Sequence, residues 1–146
     1  MQNVASNDVV ARIGREHYRT EIEVGGKSVV VDEPASLGGG DSGPTPYDMI
    51  LGSIGACTAM TVRMYADRKG WPLESVTVRL RQARSYQQDC EDCDAQALPG
   101  ITIERELVME GALDDEQRER LTQIADRCPV KQALERGVHV QPAQPA

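Results

Sequence analysis

Four cysteines, Cys57, Cys90, Cys93 and Cys128, carry most of the chemistry open to this 146-residue chain. Cys128 immediately precedes Pro129 at the head of PVKQALERG, which makes it the expected N-cap of a short helix. Unpaired N–H groups and the positive end of a helix dipole favour a thiolate there, and Arg127 and Lys131 add positive charge. Taken alone, the same position suits an unreactive packing cysteine at a helix junction equally well. Cys57 sits in GACTAMTVRMYADRKGWPLE, in the middle of an apolar helix. A thiol in that setting is ordinarily a small buried hydrophobe, and burial raises its pKa. Only spatial adjacency to Cys128 and to an arginine would change its character.

Cys90 and Cys93 form a C-x-x-C pair with two chemical readings. A thioredoxin-type pair needs a helix N-terminus to stabilise one thiolate, but Asp89, Glu91, Asp92 and Asp94 surround this one with opposing charge. A zinc site normally takes four ligands, and one C-x-x-C supplies two. His17 and His139 lie at opposite ends of the chain, so only neighbouring carboxylates remain to complete a set. The expectation is an idle loop without metal, with Cys90 and Cys93 as the residues to watch.

The elements that must position these thiols are legible from periodicity and turn chemistry. Val9, Ala11 and Ile13 alternate with polar residues, as do Tyr18, Thr20, Ile22 and Val24, and Gly25-Gly26 turns the chain into Val29–Val31. The glycine-rich PASLGGGDSGPTP lacks the Gly-Lys-Ser/Thr of a phosphate loop and reads as a flexible linker. A long helix starts with Thr45 as N-cap, Pro46 at N1 and Asp48 at N3, an aspartate version of the capping box. Its predicted buried stripe is Ile50, Ile54, Cys57, Thr61 and Met64, with Gly52, Gly55, Ala56 and Ala59 leaving room for a second helix. Arg68, Lys69, Gly70 and Pro72 end it. Val76, Val78 and Leu80 mark a strand, and Ile101, Ile103, Leu107 and Met109 share the apolar face of another. Arg105 falls on that apolar face, as a buried salt bridge, an edge position or a functional cation. A helix capped by Asp114 with Gln117 at N3 runs to about Arg127, and Gly137 stops the last one. One domain over residues 1–146 is expected, with 140–146 as a disordered tail.

Bulk composition narrows the function. Hydrophobic residues make up 40% of the chain, enough for a core, and with aromatics at 3% and no Phe that core must be aliphatic. A net charge of −7 and no basic face argue against nucleic acid. The sequence MQNVASNDVV lacks the pattern of a signal peptide and no apolar run approaches a membrane span, so the expectation is a cytoplasmic protein without membrane contact. In that compartment cysteines serve catalysis or metal more often than structural disulfides.

The block GPTPYDMILGSIGACTAMTVRMYADRKGWPLE, with DRCPVKQALE about seventy residues later, resembles the OsmC/Ohr family of thiol peroxidases, and the resemblance runs from about Val9 to Gly137. It implies an α+β fold, antiparallel sheets wrapped around a central long helix, in an intertwined homodimer. It further implies a peroxidatic Cys57 and a resolving Cys128 that close a disulfide during reduction of organic, fatty-acid-like hydroperoxides. A dithiol reductant of the dihydrolipoyl type would restore the thiols, and no cofactor is needed. The family's peroxidases carry a glutamate ten residues before the first cysteine, which orients an arginine over the thiolate. Here that position is Tyr47, and the nearest carboxylate is Asp48, about 100° around the helix. The arginine would come from Arg12, Arg15 or Arg19, with Arg19 the first choice, or from Arg105. A non-catalytic stress or binding protein on the same scaffold, and a zinc-binding interaction module on Cys90 and Cys93, are the competing readings.

Overall fold

The structure is a computed structural model and describes residues 8–83 and 100–143. The described residues form two compact units, one reaching Ile50 and the other comprising those from Leu51 onward.

The first unit is built on an antiparallel meander, β1 (Val10–Ile13), β2 (Thr20–Val24) and β3 (Lys27–Val31), in that spatial order. Ile22 stands opposite Ala11 on one side and Val29 on the other. Gly25 and Gly26 both take positive φ, +55° and +76°, the requirement of the two-residue turn that matches strand twist. The following glycine-rich segment is not a linker. Asp32 donates its N–H to the Pro44 carbonyl at 3.0 Å, Asp41 donates to the Glu33 carbonyl at 3.0 Å, and a short 3-10 helix spans Ala35–Leu37. A side chain at Gly39 would collide with the Glu33 carbonyl, and one at Gly43 with that of Val30. The glycines are there for close backbone approach rather than for freedom.

Helix α1 (Pro46–Lys69) begins in this unit and continues into the second. Its start is the reciprocal cap expected: Asp48 N–H donates to Thr45 Oγ1 at 3.1 Å, and Thr45 N–H donates to Asp48 Oδ2 at 3.0 Å. Gly70 at φ +67° terminates it. The buried row is Ile54, Thr58, Val62 and Ala66, offset from the stripe the sequence pattern indicates; Met64 is exposed and Cys57 only half-buried. The offset follows from packing: two small residues, Thr58 and Ala66, replace larger apolar ones on the core face. Among the described residues, α1 is the one helix long and apolar enough to cross a bilayer, contrary to the expectation that no run reaches that length. Val62 and Ala66 are nevertheless fully buried in a protein core.

That core lies in the second unit. β4 (Leu73–Gln82) pairs antiparallel with β5 (Ile103–Gly111), with Val78 opposite Leu107 and a register shift between Leu73 and Ser75. Val62, Ala66 and Leu73 meet Leu121 and Ala125 of α2 (Asp115–Ala125), flanked by Val76, Leu107 and Met109. Burying Val62, Leu73 or Leu121 contributes about 1.5–3 kcal/mol each. α2 opens on the expected Asp114–Gln117 capping box and closes at Asp126, slightly earlier than the sequence indicates. Arg118 pins it to β5 by donating to the carbonyls of Met109 (2.8 Å) and Gly111 (3.0 Å). α3 (Pro129–Arg136) follows at once, with Cys128 as its N-cap.

Candidate active site

The tight turn between α2 and α3 carries Cys128 against the middle of α1. Its N–H reaches back to the Ala125 carbonyl at 3.4 Å, while Pro129 starts α3 without an N–H to satisfy. Its side chain is completely buried, and its sulfur accepts the N–H of Lys131 at 3.4 Å. Cys57 lies on α1 three residues beyond Ile54, whose carbonyl is 4.0 Å from the Cys128 sulfur, and both thiols are free. Gly55 fits this close packing, because the Leu80 side chain of β4 occupies the place of its missing Cβ. Both cysteines thus belong to one compact unit.

The two thiols differ electrostatically. Burial first, then the nearby Cys128 thiol, push the Cys57 thiol up against the opposing Val130 N–H and the Thr61 hydroxyl. Burial also works against charge on Cys128, but the nearby Cys57 thiol, the Lys131 N–H, the Thr58 hydroxyl and the Val130 N–H outweigh it and hold this thiol below its ordinary value. The Thr58 hydroxyl is itself fully buried and has no partner of good hydrogen-bond geometry among the described residues. It stands beside the Cys128 sulfur as an uncommitted donor. Thr58 was not singled out by sequence; its signal was a polar residue next to Cys57 on the core row of α1.

The other sequence-derived candidates are placed as follows. Arg105 lies on the half-buried face of β5 as the alternation indicates, with Nη2 2.7 Å from Asp126 Oδ1 and Nη1 donating to the Ala125 carbonyl at 3.3 Å. It closes the C-terminal end of α2, where a cation complements the dipole. Arg19 stands one residue before β2 rather than within it, and its exposed guanidinium pairs with Glu21 at 3.2 Å. Asp48 is engaged in the cap of α1. Cys90 and Cys93 lie outside the described residues, and among the described residues no group of three or more His, Cys, Asp or Glu is arranged to hold a metal.

The first unit contains a carboxyl pair that sequence reading passed over. Asp32 accepts from the Ser42 hydroxyl at 2.6 Å and from the N–H groups of Glu33 (2.7 Å) and Ser42 (3.1 Å); Ser42 first among these bonds holds its pKa at about 2. Glu33 is buried, its Oε2 has no partner among the described residues, and burial, then Asp32 and Asp48, raise its pKa. Both line a hollow of about 370 Å³ with Ile13, Tyr18 and Leu37. A wider hollow of about 600 Å³ in the second unit is lined by Tyr65, Trp71 and Arg120 and by neither cysteine.

The family model described as OsmC-like protein matches residues 38–143. Among solved structures, an OsmC like protein from Mycoplasma pneumoniae aligns with a TM-score of 0.70 at 16% identity, over 92% of this chain and 89% of that one. An organic hydroperoxide resistance protein OsmC from Legionella pneumophila gives 0.58 at 20% identity, over 89% and 90%. The organic hydroperoxide resistance protein OhrB of Bacillus subtilis gives 0.53 at 20% identity, over 86% and 87%. At these identities the likeness is one of fold. No curated protein gives a significant match.

Proposed function

The chain belongs to the OsmC-like protein family, and on that footing we propose that it is a cysteine-dependent hydroperoxide reductase serving oxidative or osmotic stress defence. One observation carries the reading: Cys57 and Cys128 are free thiols in one compact unit, and the Cys128 sulfur lies 4.0 Å from the Ile54 carbonyl of the helix that carries Cys57, the proximity a dithiol that cycles through a disulfide requires. The relatives named for organic hydroperoxide resistance agree with it in fold.

In the proposed cycle Cys57, the more accessible thiol, attacks the terminal peroxide oxygen. The O–O bond breaks, an alcohol leaves, and Cys57 becomes a sulfenic acid. Cys128 then attacks the Cys57 sulfur, the S–O bond breaks, and water leaves as the disulfide forms. A dithiol of dihydrolipoyl type returns both residues to thiols. The aliphatic surroundings of the pair favour organic over hydrogen peroxide. A second copy is the proposed cover for the exposed face of α1, where Met60 (62% exposed) and Met64 (59%) line up with Gly52 and Ala56. Exposed apolar residues at such density mark association surfaces.

A second reading, an OsmC-like stress or binding protein without efficient catalysis, draws on two facts. Arg105 is committed to Asp126 and Ala125, and burial raises the Cys57 pKa. Cumene hydroperoxide supplied with dihydrolipoamide decides between them. The wild type should consume peroxide, Cys57→Ser should abolish consumption, and Cys90→Ser should leave it intact. Absence of turnover by the wild type overturns the enzyme reading.

A further inference from the structure

Glu33 poses a question that the thiols do not answer. The carboxylate beside it is fully committed: Asp32 Oδ1 accepts the Glu33 N–H, and Oδ2 accepts both the N–H and the hydroxyl of Ser42. Glu33 itself is only 7% exposed, and its Oε2 has no hydrogen-bond partner among the described residues. No lysine or arginine among them pairs with it, and Arg19, in the turn between β1 and β2, is taken by Glu21. Burial, then Asp32 and Asp48, work against a charge on it. A buried polar atom left in this condition is costly and rare, and it signals a partner from outside the chain. The backbone that carries it is fixed in place. The Asp41 N–H donates to the Glu33 carbonyl at 3.0 Å, and Gly39 packs directly against the same residue.

Asp32 and Glu33 line the hollow of about 370 Å³ in the first unit, together with Ile13, Tyr18, Leu37 and Pro46. Small-molecule sites have this size and this make-up, apolar walls with a few polar groups that fix orientation. The walls decide the class of ligand. A metal ion is a poor match, because no three ligands gather among the described residues, both Asp32 oxygens are taken, and apolar side chains cannot replace its water. An anion would meet two carboxyl groups. A cation on an apolar body satisfies both halves of the hollow. Its N–H groups bond to Glu33 and oppose the charges of Asp32 and Asp48, its body lies against Ile13 and Leu37, and Tyr18 offers a ring that attracts cations. We propose that this hollow binds a small organic cation, an amine, amidine or guanidine on a short apolar body, with Glu33 as its counter-charge. All the residues involved belong to the first unit, whereas Cys57 and Cys128 belong to the second, so the site does not depend on the peroxidase reading.

The test uses the full-length, isotope-labelled protein with two probes: benzamidine, an amidinium on a phenyl ring, and benzamide, its uncharged isostere. Benzamidine should shift the backbone amide signals of Ile13, Tyr18 and Leu37, with a dissociation constant on the order of 1 mM, ordinary for so small a probe. Benzamide should bind roughly tenfold more weakly or not at all, since it cannot form the charge-assisted pair. Glu33→Gln keeps the shape of the side chain and removes its charge, and it should weaken benzamidine by roughly tenfold or more. Ile13→Trp, at a position 54% exposed, adds bulk at the hollow and should block benzamidine with Glu33 untouched. That variant keeps the proposal testable where Glu33→Gln does not fold. Benzamide binding as tightly as benzamidine overturns the proposal, and so does benzamidine binding undiminished in Glu33→Gln. Shifts confined to residues from Leu51 onward, or no shift at all, overturn it as well.

Discussion

Replacing Arg105 with methionine separates an arginine that holds α2 from one that serves the thiol. Methionine keeps much of the unbranched stem and its apolar contacts but removes the guanidinium. What is lost is the 2.7 Å pair with Asp126 and the 3.3 Å hydrogen bond to the Ala125 carbonyl. Arg105 has 19% of its side chain exposed but Asp126 has 63%, so water screens the pair and its worth is about 0.5–1 kcal/mol. The longer bond to the last carbonyls of α2, with the dipole, adds about 0.5–1 kcal/mol. The expected loss is therefore about 1–2 kcal/mol, or roughly 3–6 °C in Tm for a chain of this size. Urea unfolding should show a lower midpoint with an unchanged slope, and the difference should shrink in concentrated salt. Hydroperoxide kcat/KM should stay within about threefold of wild type, below the 10²-fold scale of a lost catalytic group. A hundredfold loss of kcat/KM at unchanged stability would refute the reasoning and make Arg105 the activating cation.

Leu121→Ala, at a fully buried position under the α1–α2 contact, should cost about 2–5 kcal/mol by denaturant unfolding. Asp32→Asn should destabilise at neutral pH, because Asp32 receives three hydrogen bonds; its native pKa of about 2 lies below the ordinary 3.8, so the difference from wild type should narrow as pH falls from 3.8 towards 2 in a thermal-melt series. Glu33→Gln should have the opposite sign, since a raised carboxyl pKa favours the fold below the ordinary value and is a growing penalty as pH rises through the native one. Its Tm should therefore gain on the wild type from acid to neutral pH.

Much of the fold was readable because it rests on local rules. Thr45 and Asp48 form their cap, Gly25 and Gly26 their turn, and Cys128-Pro129 begins α3, each decided by neighbours within four residues. Arg105 was legible as an anomaly from strand alternation alone, although Asp126 as its partner was not. What escaped was decided by distant groups. The glycine-rich stretch reads as flexible by composition, but Gly39 and Gly43 pack against carbonyls of Glu33 and Val30. The core row of α1 was displaced because Thr58 and Ala66, weak signals in any hydropathy pattern, are fully buried, Ala66 against Leu121 and Ala125 of α2. The thiol pair was nameable as two positions, but which sulfur receives the hydrogen bonds depends on a helix start meeting the middle of another helix. No spacing in the chain encodes that.

The central claim is that Cys57 and Cys128 are one redox couple. Its most direct test is the protein treated with one equivalent of cumene hydroperoxide, then digested without reduction and mapped by mass spectrometry. The account predicts loss of two hydrogens from the intact mass and a single cross-linked peptide pair joining Cys57 to Cys128. A disulfide confined to Cys90 and Cys93, or Cys57 carried to sulfinic acid beside a free Cys128, would contradict it.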